Sequence, residues 1–247
     1  MTTTLVLLPA FPLWSAMYDH ARPMLSHGCS LLTPDLRGFG GVPLGAAEPS
    51  VDVYADDVAR LLDDRAVDRG VVGGTSMGGY VTMAMLRRHP DRVAGVVLVD
   101  TTAAADAEPA RQNRERIART VLEDGAVDVV LSEVFPRLLG DTSEQSRPDV
   151  VERVRGWVAA ATPQAVAFGQ RAMAGRPDSY ETLRQAGVPG LVVVGEEDRI
   201  TSVEAAQAMA EALPGGQLAV LPGSGHLSPV ETPEAFAFAV SGWLSGL

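Results

Sequence analysis

The stretch Gly70-Val71-Val72-Gly73-Gly74-Thr75-Ser76-Met77-Gly78-Gly79-Tyr80 decides the fold, because an apolar run leads into it and a helical pattern leads out of it. Gly74, Ser76 and Gly78 form a G-x-S-x-G pattern. As a string the pattern is weak: glycine is about a tenth of the chain, so its 14 serines give about one chance match in seven. Context supplies the force. A strand that turns straight into a helix holds a serine on a sharp elbow with its hydroxyl exposed. Side chains two residues to either side would collide across so tight a turn, which is the physical reason for glycine there. The helix N-terminus also brings backbone N–H groups close to any oxyanion formed beside the serine.

Outward from the elbow, short apolar runs ending in turn residues alternate with helical patterns, as in a parallel sheet covered on both faces. Expected strands are Thr4 to Leu8, Ser30 to Thr33, Gly70 to Val72, Gly95 to Val99, Gly190 to Val194 and Gln217 to Leu221. Val53 to Leu62, Gly79 to Arg88, Val203 to Leu213 and Pro233 to Leu244 carry apolar residues at helical spacing, some behind capping residues such as Ser202 and Thr232. From Thr101 to Val188 the rhythm breaks. Helical patterns over Glu108 to Leu122, Ala126 to Leu139, Pro148 to Ala161, Pro163 to Met173 and Tyr180 to Gln185 follow one another without a strand. The expected organisation is an α/β core of residues 1–102 and 187–247, a mostly parallel doubly wound sheet, with residues 103–186 inserted as a helical cap over a functional site.

Composition excludes several functions. At 247 residues and 46% hydrophobic content the chain can bury a substantial core. A net charge of −11 argues against nucleic acid, whose phosphates call for a basic face. Cys29, the single cysteine, allows neither an intramolecular disulfide nor a cysteine-rich zinc site and fits a reducing cytoplasm. No run of about 18 apolar residues marks a membrane span, and no basic residue precedes the first apolar run as in a secretory signal.

A serine hydroxyl needs an adjacent base, itself oriented by a carboxylate. Of the four histidines, His20, His27 and His89 sit in helical or turn contexts and read as solvated or structural. His226 lies in Pro222-Gly223-Ser224-Gly225-His226-Leu227, a glycine-rich loop directly after the last expected strand, where an open α/β sheet keeps its reacting groups. Asp198, in the loop that follows Leu191-Val192-Val193-Val194, is the expected acid, with Glu196, Glu197 and the more distant Asp100 as competitors. The chain order serine, acid, histidine is that of a hydrolase elbow.

With those residues in view, the whole chain resembles the α/β-hydrolase superfamily, and its spacing is similar to the esterase, lactonase and cofactor-free haloperoxidase branch. The segments that carry the likeness are Leu7-Leu8-Pro9-Ala10-Phe11-Pro12, Asp35-Leu36-Arg37-Gly38-Phe39-Gly40, Gly74-Thr75-Ser76-Met77-Gly78-Gly79, Gly195-Glu196-Glu197-Asp198 and Gly223-Ser224-Gly225-His226. The resemblance implies an oxyanion hole made by the backbone N–H groups of Phe11 and Met77, and a helical cap over the substrate. Two departures stand out. Pro9-Ala10 replaces the common His-Gly, so that loop must find other hydrogen bonds. The chain also starts almost at the first strand, where many relatives carry a hairpin, so the expectation is either a sheet shortened at that edge or a hairpin lost from this sequence.

The expected activity is hydrolysis of a small, mainly apolar carboxylic ester or lactone through an acyl-enzyme, with no metal and no organic cofactor. Trp14, Tyr80, Phe135, Trp157, Phe168 and Met173 are candidate pocket residues from their loop or cap positions. Rival readings keep the triad for carbon–carbon bond hydrolysis, perhydrolysis or a lyase-type step, or keep only the scaffold as a ligand receptor. A cytoplasmic protein, monomeric or homodimeric, acting on a small molecule is the expectation.

Overall fold

Runs rich in valine and leucine, bounded by glycine and proline, become the strands of a single sheet. The structure, a computed structural model, describes residues 3–247. From the N-terminus come β1 (Thr4–Leu8), a 3-10 turn (Ser15–Tyr18), α1 (Arg22–Leu25), β2 (Ser30–Leu32), α2 (Val51–Asp64), β3 (Gly70–Thr75), α3 (Met77–Arg88) and β4 (Val93–Val99). Six helices follow without a strand: α4 (Glu108–Asp124), α5 (Asp128–Glu133), α6 (Asp141–Ser146), α7 (Pro148–Ala159), α8 (Pro163–Ala174) and α9 (Tyr180–Arg184). The chain closes with β5 (Gly190–Gly195), α10 (Val203–Ala212), β6 (Gln217–Leu221), α11 (Ser228–Glu231) and α12 (Pro233–Leu244).

The strands pair in parallel in the order β2-β1-β3-β4-β5-β6. This is the expected α/β class, a parallel sheet with helices packed on it. Central strands are built almost wholly of valine, leucine and glycine because both faces are covered: every residue of β3 and β5 is buried, the one hydroxyl, Thr75, bonding to Tyr18. α2 shows how the covering helices form. The Ser50 side chain accepts the Asp52 N–H at 3.1 Å as an N-cap, and Tyr54, Ala55, Val58 and Leu62 bury one stripe. Strand order reverses direction at β1, which has β2 on one side and β3 on the other. The carboxyl ends of β1 and β3 therefore run side by side, Leu8 paired with Gly74, and the loops beyond them face each other across a crevice.

Differences from expectation have local causes. The expected helix from Ala126 to Leu139 is instead α5 followed by a 3-10 turn at Phe135–Arg137, since Pro136 has no N–H to donate and disfavours helical geometry in the residue before it. α6 was not foreseen; it is short and polar, with Ser143 its only buried residue. The helical stretch clasps itself at its base. Ser179 N–H donates to Ala103 O at 2.8 Å, and Arg176 donates to Ala104 O and pairs with Asp106. Within the stretch α4 packs along α8, joined by a two-pronged Arg171–Glu115 ion pair. Among the described residues no helix is long and apolar enough to cross a membrane, and Cys29 is buried as a free thiol.

Two glycines test this packing from opposite sides. A Cβ on Gly78 would overlap the Leu8 carbonyl, backbone against backbone, whereas one on Gly156, inside α7, would meet nothing within 4 Å. Gly78→Ala should destabilise by about 3 kcal/mol or abolish folding, and Gly156→Ala should stabilise by about 0.5–1 kcal/mol. Denaturant titration of the two variants beside wild type measures both. Equal and small effects would contradict the close approach of β1 to α3.

Candidate active site

Ser76 caps α3 with φ 53° and ψ −111°, a conformation that costs an L-residue energy and must be held by its surroundings. The restraint comes from β4. Ser76 N–H donates to Val99 O at 2.9 Å, and the Thr101 hydroxyl donates to Ser76 O at 2.9 Å. Glycine at 74 and 78 is a steric demand, because a Cβ on Gly74 would overlap the backbone of Gly78. The elbow thus turns the Ser76 hydroxyl out over the carboxyl ends of the strands.

His226 and Asp198 arrive from the neighbouring loops. His226 Nε2 lies 2.8 Å from Ser76 Oγ, and His226 Nδ1 lies 2.8 Å from Asp198 Oδ2. Both side chains are buried, at 2% and 0% exposure. Asp198 Oδ1 also accepts the N–H groups of Ile200 at 2.7 Å and Thr201 at 3.0 Å, and Oδ2 accepts the Thr201 hydroxyl. Burial opposes its ionisation, but His226 and the Thr201 donors outweigh it and hold the carboxyl below the ordinary carboxylate range. For His226 burial pushes the other way from its partners, and Asp198, with Asp100 and Glu231 behind it, raises the imidazole above its usual value. An alcohol, a neutral base and an ionised acid in this order can move a proton off the serine as it attacks.

The competing acids have other occupations. Asp100, at φ 44° just beyond β4, accepts Gly195 N–H at 2.9 Å, Ser228 N–H at 2.9 Å and the Ser228 hydroxyl at 2.7 Å, joining the loops that carry Asp198 and His226. Glu197 accepts the Thr142 N–H at 2.8 Å at the start of α6, and Glu196 is exposed. The remaining histidines lie elsewhere: His89 on Asp56 at 2.8 Å, His27 on Pro23 O at 2.6 Å, and His20 exposed beside Arg153.

Phe11 lines the cleft, and Met77 is the first residue of α3, directly after Ser76. The loop with Pro9-Ala10 finds its own bonds. Leu13 N–H donates to Ala10 O at 2.7 Å, Ala10 N–H to Met17 Sδ at 3.2 Å, and the Tyr18 hydroxyl to Leu8 O at 2.8 Å. Phe11 and Pro12 are joined by a cis peptide bond.

A cavity of about 330 Å³ opens above Ser76 and His226. Of the six expected pocket residues, Tyr80 and Met173 line it. The other four pack elsewhere: Trp14 lies edge-on to Trp157 at 6.1 Å, Phe168 edge-on to Tyr54 at 5.6 Å, and Phe135 sits under the Arg155 guanidinium at 4.5 Å. Aromatic type does not tell which face of a helix turns to the cleft. Sequence reasoning missed Asn113, Arg114, Glu133, Arg137, Gln170 and Ile200, which give the wall a mixed polar and apolar character. Arg37 is committed to Asp57 and lies off the cleft.

An open parallel sheet with a serine on a strand-to-helix elbow, faced by a histidine and an acid, defines the α/β-hydrolase class. The chain belongs to the alpha/beta hydrolase family, whose model matches residues 5–240, and it is a hydrolase. It is 29% identical to 3-oxoadipate enol-lactonase 2 of Acinetobacter baylyi over 83% of this chain and 75% of the lactonase. It is 28% identical to the pimeloyl-[acyl-carrier protein] methyl ester esterase of Aromatoleum aromaticum over 98% of both chains. Among solved structures it superposes on a thermophilic esterase from Thermogutta terrifontis, malate bound, with a TM-score of 0.95 and 37% identity, covering 99% of this chain and 90% of that one.

Asp100 offers a stability test. Complete burial, with the charge of Asp198 adding to it, raises its carboxyl to about 7. A raised acid contributes stability that is present below about pH 4 and is lost as pH climbs through about 7. The melting temperature of Asp100→Asn relative to wild type should therefore rise across that interval. A difference that stays flat with pH would remove this account of Asp100.

Proposed function

We propose that the protein is a serine hydrolase of small carboxylic esters or lactones. The observation that carries the reading is the continuous line from Ser76 Oγ through His226 to Asp198, with both links at 2.8 Å. In the proposed reaction His226 removes the Ser76 proton while Oγ attacks the acyl carbonyl, and Asp198 stabilises the imidazolium. The N–H groups of Phe11 and Met77 hold the oxyanion. His226 then protonates the leaving alcohol, and water activated by the same imidazole releases the acid. Residues 103–186 act as the cap and residues 1–102 and 187–247 as the catalytic core. Support for the cap comes from Asn113, Arg114, Glu133 and Arg137, all from the helical stretch and all in the cavity wall.

The wall also bears on the substrate. Glu133 pairs with Arg116 and Arg114 with Asp106, while Arg137 has a backbone partner, Arg199 O at 3.2 Å, and among the described residues no carboxylate within 4.0 Å. A guanidinium with donors to spare at the cleft favours an ester or lactone that carries a carboxylate of its own.

Short-chain p-nitrophenyl esters should be turned over, with kcat/KM falling at least about 1000-fold in Ser76→Ala and His226→Ala. The rate should drop as pH falls through the raised His226 value, because only the neutral imidazole accepts the serine proton. A fluorophosphonate should label Ser76 alone; turnover that survives Ser76→Ala refutes the nucleophile. For the acid, Asp198→Asn should lose most activity while Asp100→Asn keeps most of it, and the reverse result would exchange their roles.

A half-ester of a dicarboxylic acid should show a lower KM than a neutral ester of equal length, and Arg137→Gln should erase the preference by raising that KM about 10-fold. An unchanged KM ratio in the variant would discard the anionic substrate. A parallel screen of lactones and diketones separates ester chemistry from carbon–carbon bond hydrolysis.

A further inference from the structure

Glu231 ends α11, five positions beyond His226, and plays no part in the reaction as written. Its side chain is nevertheless buried, at 4% exposure for the residue, and both carboxylate oxygens are occupied by backbone. Oε1 accepts the N–H of Gly225 at 2.9 Å and of Leu227 at 3.1 Å, the two residues that flank His226. Oε2 accepts the N–H of Gly140 at 2.8 Å, at the entry to α6 in the helical stretch over the cleft. The Ser143 hydroxyl of α6 lies on the same side and favours the charged form of the carboxylate. Arg147 binds the same seam, donating from Nη1 to Gly223 O at 3.0 Å, Glu231 O at 3.0 Å and Ser143 Oγ at 3.1 Å. Contact here is backbone to backbone, since a Cβ on Gly225 would overlap Gly140 N.

A buried carboxylate is expensive unless every lone pair finds a donor. Here one carboxylate binds three amides from two parts of the molecule, and two of those amides bracket the base. With the backbone pinned before and after it, His226 keeps its origin while its ring spans Ser76 and Asp198. We propose that Glu231 is a positioning residue: it fixes the loop on both sides of His226 and ties that loop to the helical stretch, so that the imidazole is aligned when the stretch is seated. The inference rests on reading Ser76, His226 and Asp198 as the catalytic set.

The charges around the two groups define what a substitution changes. His226 faces Asp198, Asp100 and Glu231, all of which raise it against its burial. Glu231 faces Arg147, His226 and, across Gly140, the carboxylate of Glu197, which would collide with a Cβ on that glycine. Glu231→Gln keeps the size but leaves one accepting oxygen where two are needed, and it removes one of the three charges that raise His226. Glu231→Asp keeps the charge on a shorter arm.

In Glu231→Gln, kcat on a p-nitrophenyl ester should fall about 10- to 100-fold with KM within about threefold of wild type, and the acid limb of kcat/KM should move to lower pH. Glu231→Asp should leave the acid limb in place while kcat stays low, a split that a merely space-filling residue would not produce. The His226 imidazole titration, followed by NMR, should move down in Glu231→Gln, and it needs no substrate. If that variant does not fold, Arg147→Met disturbs the seam without touching the carboxylate and should lower kcat in the same direction by a smaller factor. A folded Glu231→Gln with wild-type kcat and an unmoved His226 titration overturns the proposal, as does wild-type kcat in Arg147→Met. Should the wild type hydrolyse no ester or lactone and resist fluorophosphonate, the functional reading fails, while the NMR titration still judges Glu231.

Discussion

The approach of α3 to β1 governs what the rest of the molecule can do. At Gly78 the helix backbone lies against the Leu8 carbonyl with no room for a single carbon between them. That approach keeps α3 directly behind β3, forces the chain through the strained geometry of Ser76, and sets the loop after β1 beside the start of the helix. One steric constraint thus locates the Ser76 hydroxyl and the wall opposite it. The energy of the positive φ at Ser76 is offset by Val99 and Thr101, which grip its amide and carbonyl, so β4 supports the elbow that β3 and α3 create.

Around the histidine the governing term is electrostatic. Three carboxylates surround one buried imidazole, and each is satisfied differently: Asp198 by the imidazole and the turn at Thr201, Asp100 by Gly195 and Ser228, Glu231 by amides of two separate segments. The number of donors does not set the direction of the shift; proximity to the imidazole does. Asp198 touches the ring and is held ionised, whereas Asp100 and Glu231 stand behind it and are pushed up by burial. Their hydrogen bonds join the loops after β4, β5 and β6 into one scaffold.

Much of this was legible in the residues because strand periodicity is a strong local signal. The runs at Thr4–Leu8 and Gln217–Leu221 became strands with those bounds, and once β3, β5 and β6 are strands of one parallel sheet the loops bearing Ser76, Asp198 and His226 must emerge at one edge. The cleft wall was not legible. Trp14, Trp157, Phe135 and Phe168 are reasonable by type, but the first two turn to each other, Phe135 to Arg155 and Phe168 to Tyr54, through the rotation of helix or loop, which only packing decides. Arg114 and Arg137 look in sequence like any solvated helix charge. α6 escaped notice because its partners, Glu197 and Glu231, lie 55 and 91 residues away along the chain.

The clasp at the base of the helical stretch has a geometric consequence. Ala103 and Ser179 are hydrogen-bonded to each other, and the Arg176–Asp106 pair closes the same neck just above. Everything between therefore leaves the sheet and returns to it at a single point, like a bag drawn shut by its string. The entropy of closing such a loop grows only with the logarithm of its length. Apart from the α6 seam, which is fastened to the loops after β5 and β6, helices within the neck can therefore lengthen, shorten or be exchanged while the elbow beneath keeps its shape.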